Sequence, residues 1–269
     1  MKHFLMCEPG FFEVCYVINP WMEGNLGKVN KELANKQWEN LYGIVARLAS
    51  VSLIEPVSGL PDMVFTANAG LVHSNKNGGK EVIVSSFRHA ERKPEAQHYE
   101  KFFASQGYRV LHLKESTIFE GAGDALFDSQ GKLWIGSGIR SDLHALDEIV
   151  DALDVEAYAL ELINPHWYHL DTAFCPLPEG QAIAYPKAFA GKSAAALEAA
   201  FGENIIWVSD IDAKNFACNA ISIGRSVIMH KASAELKRAL KKCGLELIEA
   251  DVSEFLKSGG SCKCLTLEI

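Results

Sequence analysis

The stretch FEGAGDALFDSQGKLWIGSGIR, Phe119 to Arg140, is one unit of a plan that the chain repeats. A small acidic residue, Asp124, stands ahead of an apolar strand, Ser129 to Gly131 supply a polar turn, and a second apolar strand follows. Upstream, LPDMVFTANAGLVHSNKNGGKEVIVSSFRHAER (Leu60 to Arg92) has the same layout. It predicts strands over Met63 to Thr66, Ala69 to His73 and Val82 to Ser85, a turn at Asn75 to Gly79, and a basic loop. Downstream, YHLDTAFCPLPEGQAIAYPKAF (Tyr168 to Phe189) turns at Pro178 to Gly180, and NFACNAISIGRSVIMHKAS (Asn215 to Ser233) turns at Gly224-Arg225. Helical patterns link the units. Ala34, Trp38, Leu41, Val45 and Leu48 recur at steps of three and four, which predicts an amphipathic helix over Lys31 to Leu48. Shorter helical patterns cover Leu143 to Leu153, Ser193 to Phe201 and Ala234 to Cys243.

Each unit opens on a small polar residue: Asn68, Asp124, Asp171, Asn219 and then Cys264, at intervals of 45 to 56 residues. Modules of about 50 residues cannot each bury a core alone. They are expected to close into a ring in which the N-terminal strand completes the module that Cys264 opens. No Pro/Ser/Gly-rich linker interrupts the chain, so residues 1–269 are expected to form one α/β domain with the five polar starts around a common axis.

Bulk properties narrow the partners. With 48% hydrophobic and 22% charged residues the chain has an ordinary soluble composition, and its formal charge of −8 argues against nucleic acid or an anionic membrane surface. A small cationic ligand stays open. The N-terminus MKHFLMCEPGFF lacks a signal-peptide pattern and no apolar run reaches membrane length, which predicts a cytoplasmic protein. Seven scattered cysteines suit free thiols in a reducing compartment. Cys262 and Cys264 lack the second pair that a zinc site requires. Nothing in the sequence fixes a quaternary state, and a homo-oligomer stays open.

The last segment, SGGSCKCLTLEI (Ser258 to Ile269), places Cys264 after a glycine-rich turn at the start of a terminal strand. By itself that thiol reads as a core residue, as most free cysteines are. The repeat changes its company. His169 and Asp171, two apart, are expected to share a strand face; Glu120 and Asp124 flank Gly-Ala-Gly; Asn68 and Asp62 lie near one another. Carboxylates gathered at one point repel unless a cation sits among them, and a planar guanidinium pairs with them bidentately. A thiolate aimed at its central carbon, with His169 as acid and base, makes a covalent-catalysis arrangement. Protonated His169 or the substrate itself would favour the thiolate. Arg88 and Arg140, in loops after strand pairs, are candidates to clamp a substrate carboxylate, against the simpler reading of surface salt bridges. Asn19, before Pro20, reads first as a turn residue.

These residues carry a resemblance. FEGAGD resembles the E-G-G-D motif of the guanidine-modifying enzyme superfamily with one residue added, YHLDTAF resembles its H-L-D-T motif, and GGSCKCLT resembles its terminal G-G-x-x-x-C-x-[ST]. VINPWMEGN, LPDMVFTANAGLV and NFACN are similar to its arginine dihydrolase branch. The resemblance implies the pentein fold, five ββαβ-type modules in a pseudo-fivefold α/β propeller around a central active site. It implies Cys264 as nucleophile and His169 as general acid/base, with Glu120, Asp124 and Asp171 orienting a guanidinium. Arg88, assisted by Asn19 and with Arg140 as a further candidate, would hold the substrate carboxylate. No metal and no organic cofactor are implied. Asn68 stands where deiminases carry an aspartate, and the dihydrolase branch is known for asparagine there. An asparagine both donates and accepts, and so tolerates a neutral urea group. The implied activity is hydrolysis of L-arginine to ornithine, carbon dioxide and two ammonia. Deimination, dimethylarginine hydrolysis, amidino transfer and a non-catalytic arginine-binding role are the alternatives. Related dihydrolases can carry a second C-terminal domain that processes ornithine, and the sequence leaves that step open.

Overall fold

The computed structural model describes residues 1–269 and forms five three-stranded sheets. The first contains β1 (His3–Cys7) and β2 (Ser50–Ile54); the second β3 (Gly70–Ser74), β4 (Lys80–Val84) and β5 (Arg109–Leu111). The third holds β6 (Ala125–Phe127), β7 (Leu133–Ser137) and β8 (Ala157–Glu161); the fourth β9 (Phe174–Pro176), β10 (Ala182–Ala184) and β11 (Ile205–Trp207). The fifth holds β12 (Ile221–Ile223), β13 (Ser226–Met229) and β14 (Glu246–Glu249), and β15 (Leu267–Glu268) returns to the first. In the middle four an antiparallel hairpin is followed by a helix and a third strand parallel to the second. In the first, β15 supplies the antiparallel partner of β1, while β2 pairs with β1 in parallel. Both ends of the chain therefore share one module, as the repeat predicts.

The crossover helices are Lys31–Leu48, Glu95–Ser105, Ala145–Leu153, Gly191–Phe201 and Ala234–Lys242. A parallel crossover needs such an element because the chain must travel back the length of the sheet. Each helix lays one apolar side on its sheet. Trp38, Leu41 and Val45 of the first are buried with Phe4 and Met6 of β1, and Phe12 stacks on Phe255 at 4.8 Å beside them.

Hydrogen bonds at the inner ends of the modules close the ring. Ala67 N–H donates to the Cys264 carbonyl (3.1 Å) and Asn68 Nδ2 to the Glu120 carbonyl (2.9 Å). Leu170 N–H donates to Asp124 Oδ1 (3.0 Å), Asn219 Nδ2 to the Asp171 carbonyl (3.1 Å), and Cys264 N–H to Asn219 Oδ1 (3.1 Å). Five junctions are thus bonded in one circuit, and the residues that make it are the polar starts or their near neighbours.

Three local expectations are corrected. Met63 to Thr66 is not a strand: 3₁₀ turns occupy Pro61–Val64 and Thr66–Ala69, the first begun by Pro61, whose fixed φ suits an opening helical position. Likewise His169 and Asp171 do not share a strand face, because His169 caps a one-turn helix, Leu170–Ala173, that contains Asp171. Cys264 also precedes its strand, in a turn bonded from Leu265 N–H to the Ser261 carbonyl. The common device is a tight helical turn before each first strand. It points its polar side chains at the ring axis and leaves the strand to pack.

Candidate active site

Cys264 is buried, and its sulfur meets two groups. Asn219 Nδ2 donates to Sγ at 3.1 Å, and the Asp171 carboxylate lies at 3.5 and 3.7 Å as acceptor for the thiol proton. Burial first, and Asp171 second, push the thiol well above its ordinary range. Burial alone does not single it out, since it also pushes Cys7, Cys175 and Cys262 up to about 12. The company of Asp171 and Asn219 does. Cys262, two residues earlier, turns away towards the Ala250 carbonyl.

On the neighbouring modules, Glu120 Oε2 accepts from Arg140 Nη1 (2.9 Å) and bonds His169 Nε2 (2.6 Å), while Oε1 accepts the Arg88 backbone N–H (3.0 Å). Burial opposes ionisation of Glu120, but the Arg140 guanidinium and His169 outweigh it and hold the carboxyl well below the usual carboxylate range. Arg140 is further fixed by the Ile18 carbonyl (3.0 Å) and lies 4.5 Å over the Tyr168 ring. Asp124 has both oxygens engaged, by Leu170 N–H and by the Ser141 hydroxyl (2.6 Å). Gly-Ala-Gly between Glu120 and Asp124 is a 3₁₀ turn rather than a loose bend. A side chain at Gly123 would overlap the Asn68 amide, so the glycine lets two modules approach.

Asn68 Oδ1 accepts from Arg92 Nη1 (2.9 Å), and Arg92 also forms a bidentate pair with Glu95 (2.8 and 2.9 Å). Asp62 accepts from the Tyr16 and Ser258 hydroxyls. Asn19, Asn68, Asp62, Arg92, Arg140, His169 and Cys264 all border one cavity. Asn19 is a turn residue after all: its Oδ1 caps Trp21 and Met22 N–H, and its Nδ2 donates to the Ser258 carbonyl. Arg88 does not border the cavity. Its guanidinium pairs with Asp142 (2.6 Å) and donates to the Arg140 carbonyl (2.8 Å). Gly260 gives the Phe65 ring its place at the cavity wall, where any side chain would overlap it.

The space open to a water centre is about 10 Å³, roughly one water. A ligand the size of an amino acid needs more room than this, so it enters only if lining side chains move. Asp62, Arg92, Arg140 and His169 line this cavity, and Glu120 and Asp171 stand directly behind it, bonded to His169 and Cys264. Glu120 is held ionised, whereas burial raises Asp62, Asp124 and Asp171, so a bound cation would favour their charged forms.

A family model described as N,N dimethylarginine dimethylhydrolase, eukaryotic, matches residues 19–269. The chain belongs to this family. It is 46% identical to the bifunctional arginine dihydrolase/ornithine cyclodeaminase AgrE of Nostoc sp., over 99% of this chain and 37% of that protein. The chain thus spans little more than a third of that relative. It is 39% identical to the N(G),N(G)-dimethylarginine dimethylaminohydrolase of Mycobacterium tuberculosis, over 100% of this chain and 86% of that one. The crystal structure of the N-terminal domain of ArgZ, a cyanobacterial arginine dihydrolase, in a cysteine-to-serine mutant bound to substrate, superposes with a TM-score of 0.97. The two are 44% identical, with 100% and 98% of the chains covered. An asparagine-to-serine variant of that ArgZ domain, covalently bound to a reaction intermediate, gives 0.96 at 44% identity, covering 100% and 97%.

Of the residues singled out from the sequence, Cys264, His169, Asn68, Asn19 and Arg140 line the cavity; Glu120 and Asp171 bond His169 and Cys264 from behind it, Asp124 is tied to Leu170 and Ser141, and Arg88 lies apart. Arg92 is not legible from sequence because it sits in a basic loop, RHAER, where three residues separate two arginines and nothing in the pattern says which turns inward. The repeat marks Asn219 as a module start, but only the fold makes it a partner of the thiol. A consequence in pH follows from Asp171, which burial pushes up to about 6. A carboxyl raised on folding adds stability below its unfolded value that is lost as pH rises through the folded one, and a bound cation restores it. In the Cys264→Ser variant, the rise in melting temperature given by saturating L-arginine is expected to be small at about pH 5 and to grow to a plateau by about pH 8, with affinity changing up to tenfold per unit below the midpoint. Calorimetry at the two pH values checks it, and equal shifts would remove Asp171 from cation binding.

Proposed function

We propose that residues 1–269 act as one catalytic unit that hydrolyses the guanidino group of L-arginine to ornithine, carbon dioxide and two ammonia. The observation that carries this reading is the buried Cys264 sulfur held against Asp171, beside a cavity that His169, Asn68 and Arg140 also line. The dihydrolase names of the Nostoc relative and of ArgZ support the same substrate. The guanidinium pairs with Asp171 and displaces the thiol from it. The thiol proton is released to solvent and the thiolate, favoured by the adjacent cation, attacks the guanidino carbon, whose bond to the departing nitrogen breaks. His169 protonates departing ammonia, leaving an S-alkylthiouronium adduct, and then takes a proton from the water that attacks it. Sulfur leaves, giving citrulline. Repetition on the urea group consumes a second water and yields ornithine, ammonia and carbon dioxide.

The Glu120–Arg140 pair fixes His169, and Asp124 holds the third and fourth modules in register. Arg140 and Arg88 are assigned to the substrate carboxylate, which Arg88 reaches only by leaving Asp142. Asn68 offers the neutral contact that a urea tolerates, its carbonyl fixed by Arg92 and its amide by the Glu120 carbonyl. A second reading, hydrolysis of methylated arginine, is favoured by the Mycobacterium relative and by the family description. Product analysis separates them: two ammonia per ornithine from guanidino-labelled L-arginine is expected, with the label in carbon dioxide. Methylamine or dimethylamine from methylated arginine at a higher kcat/KM would favour the second reading. With Asn68→Asp, the ratio of citrulline to arginine turnover is expected to fall about tenfold or more, because the new oxygen faces the Glu120 carbonyl and adds a charge the urea cannot pair. An unchanged ratio would take that role from Asn68.

A further inference from the structure

Asn219 ends NFACN, the segment that opens the fifth module, and is fully buried. Every polar atom of its side chain is engaged across module boundaries. Oδ1 accepts the Cys264 N–H at 3.1 Å, while Nδ2 donates to the Asp171 carbonyl and to Cys264 Sγ, both at 3.1 Å. Its own carbonyl accepts the Lys263 N–H at 3.2 Å. The two ends of a carboxamide look alike in shape, so the network must fix which is which. Here it does. A flipped amide would set NH₂ against the Cys264 N–H and a carbonyl oxygen against the Asp171 carbonyl, two repulsive contacts in place of two bonds. The group facing the sulfur is therefore an N–H donor.

We propose that Asn219 is a positioning residue for the nucleophile, whose amide N–H stabilises the Cys264 thiolate once substrate has taken Asp171. This rests on the reading of Cys264 as nucleophile. The sulfur has one acceptor for its proton, Asp171, and one side-chain donor, Asn219. The charged groups acting on it are Asp171 and, more weakly, Lys263, with Tyr168 and His169 in the same cavity. When a guanidinium pairs with Asp171 the thiol loses its acceptor, and the anion that forms keeps the Asn219 N–H. A charge-assisted bond strengthens as the sulfur becomes an anion, so it favours the thiolate over the thiol. The same carboxamide locks the Cys264 backbone, so the sulfur keeps its direction through both rounds of attack.

The test is the pH dependence of Cys264 alkylation by iodoacetamide, read by peptide mass spectrometry in wild type, Asn219→Ala and Asn219→Asp, each checked for fold by circular dichroism and thermal melting. Asn219→Asp is nearly isosteric and keeps an acceptor for the Cys264 N–H, so it covers the case in which alanine fails to fold. The alkylation midpoint is expected to rise by about one pH unit in Asn219→Ala, a tenfold loss of rate at fixed pH, and further in Asn219→Asp, where an anion faces the sulfur. With arginine, kcat is expected to fall by at least as much while KM stays within about threefold. Folded variants with the wild-type midpoint would overturn the proposal and leave Asn219 a structural tie. Failure of the functional reading would look different: arginine would not protect wild-type Cys264 from alkylation, whatever the variants do.

Discussion

Cys264→Ser is expected to lower turnover of L-arginine by at least about 10³-fold, with the melting temperature nearly unchanged and arginine still bound. The loss is large because serine at this position has no route to an anion. The thiol is already pushed up by burial and by Asp171, and a hydroxyl starts many units higher. The fold should tolerate the change, since the backbone bond to Asn219 Oδ1 does not involve the sulfur and a hydroxyl still accepts from Asn219 Nδ2. Steady-state kinetics together with arginine titration check both halves. Residual activity within tenfold of wild type would remove covalent catalysis at this residue.

His169→Asn is expected to lower kcat by about 10²- to 10⁴-fold, the range of a positioned general acid and base. His169 Nε2 is held at 2.6 Å by Glu120, which Arg140 keeps ionised, so the imidazole is oriented before substrate arrives. Asparagine can keep a bond to Glu120 and spares the site an uncompensated buried charge, whereas loss of Glu120 would strand Arg140. Without the imidazole, both departure of ammonia and activation of water suffer. Where the second step suffers more, a covalent adduct on Cys264 builds up. Quenched samples analysed by intact mass, beside the kinetics, check this; unaltered kcat would take acid/base work away from His169.

The hairpins could be read from sequence because apolar runs bounded by Asn, Asp and Gly say where a strand stops. The third strands could not. Ser50–Ile54 and Arg109–Leu111 are short and only partly buried, and they are held by main-chain pairing to a neighbour that a helix brings round, which leaves no period in the residues. The helix Glu95–Ser105 escaped for a related reason: it opens on a buried Glu95 paired with Arg92, a polar contact inside the core that a hydrophobic pattern does not reveal. In the site, Cys264, Asp171, Asp124 and Asn68 were legible through their common place in the repeat, and Glu120 and His169 through the motifs around them. The direction of a long flexible side chain was not. Arg88 and Arg92 differ by one turn of loop, and packing against Phe87 and Glu95 decides that Arg92 turns inward while Asp142 holds Arg88 outward.

The central claim is that the Cys264 sulfur bonds to the guanidino carbon. Rapid-quench mass spectrometry of the wild-type protein mixed with carbon-13 guanidino-labelled L-arginine tests it directly. The expected result is an adduct confined to the peptide that contains Cys264, carrying the labelled carbon, forming before free product and decaying at the rate of turnover. Turnover without an adduct at any time point, or an adduct on another cysteine, would contradict it.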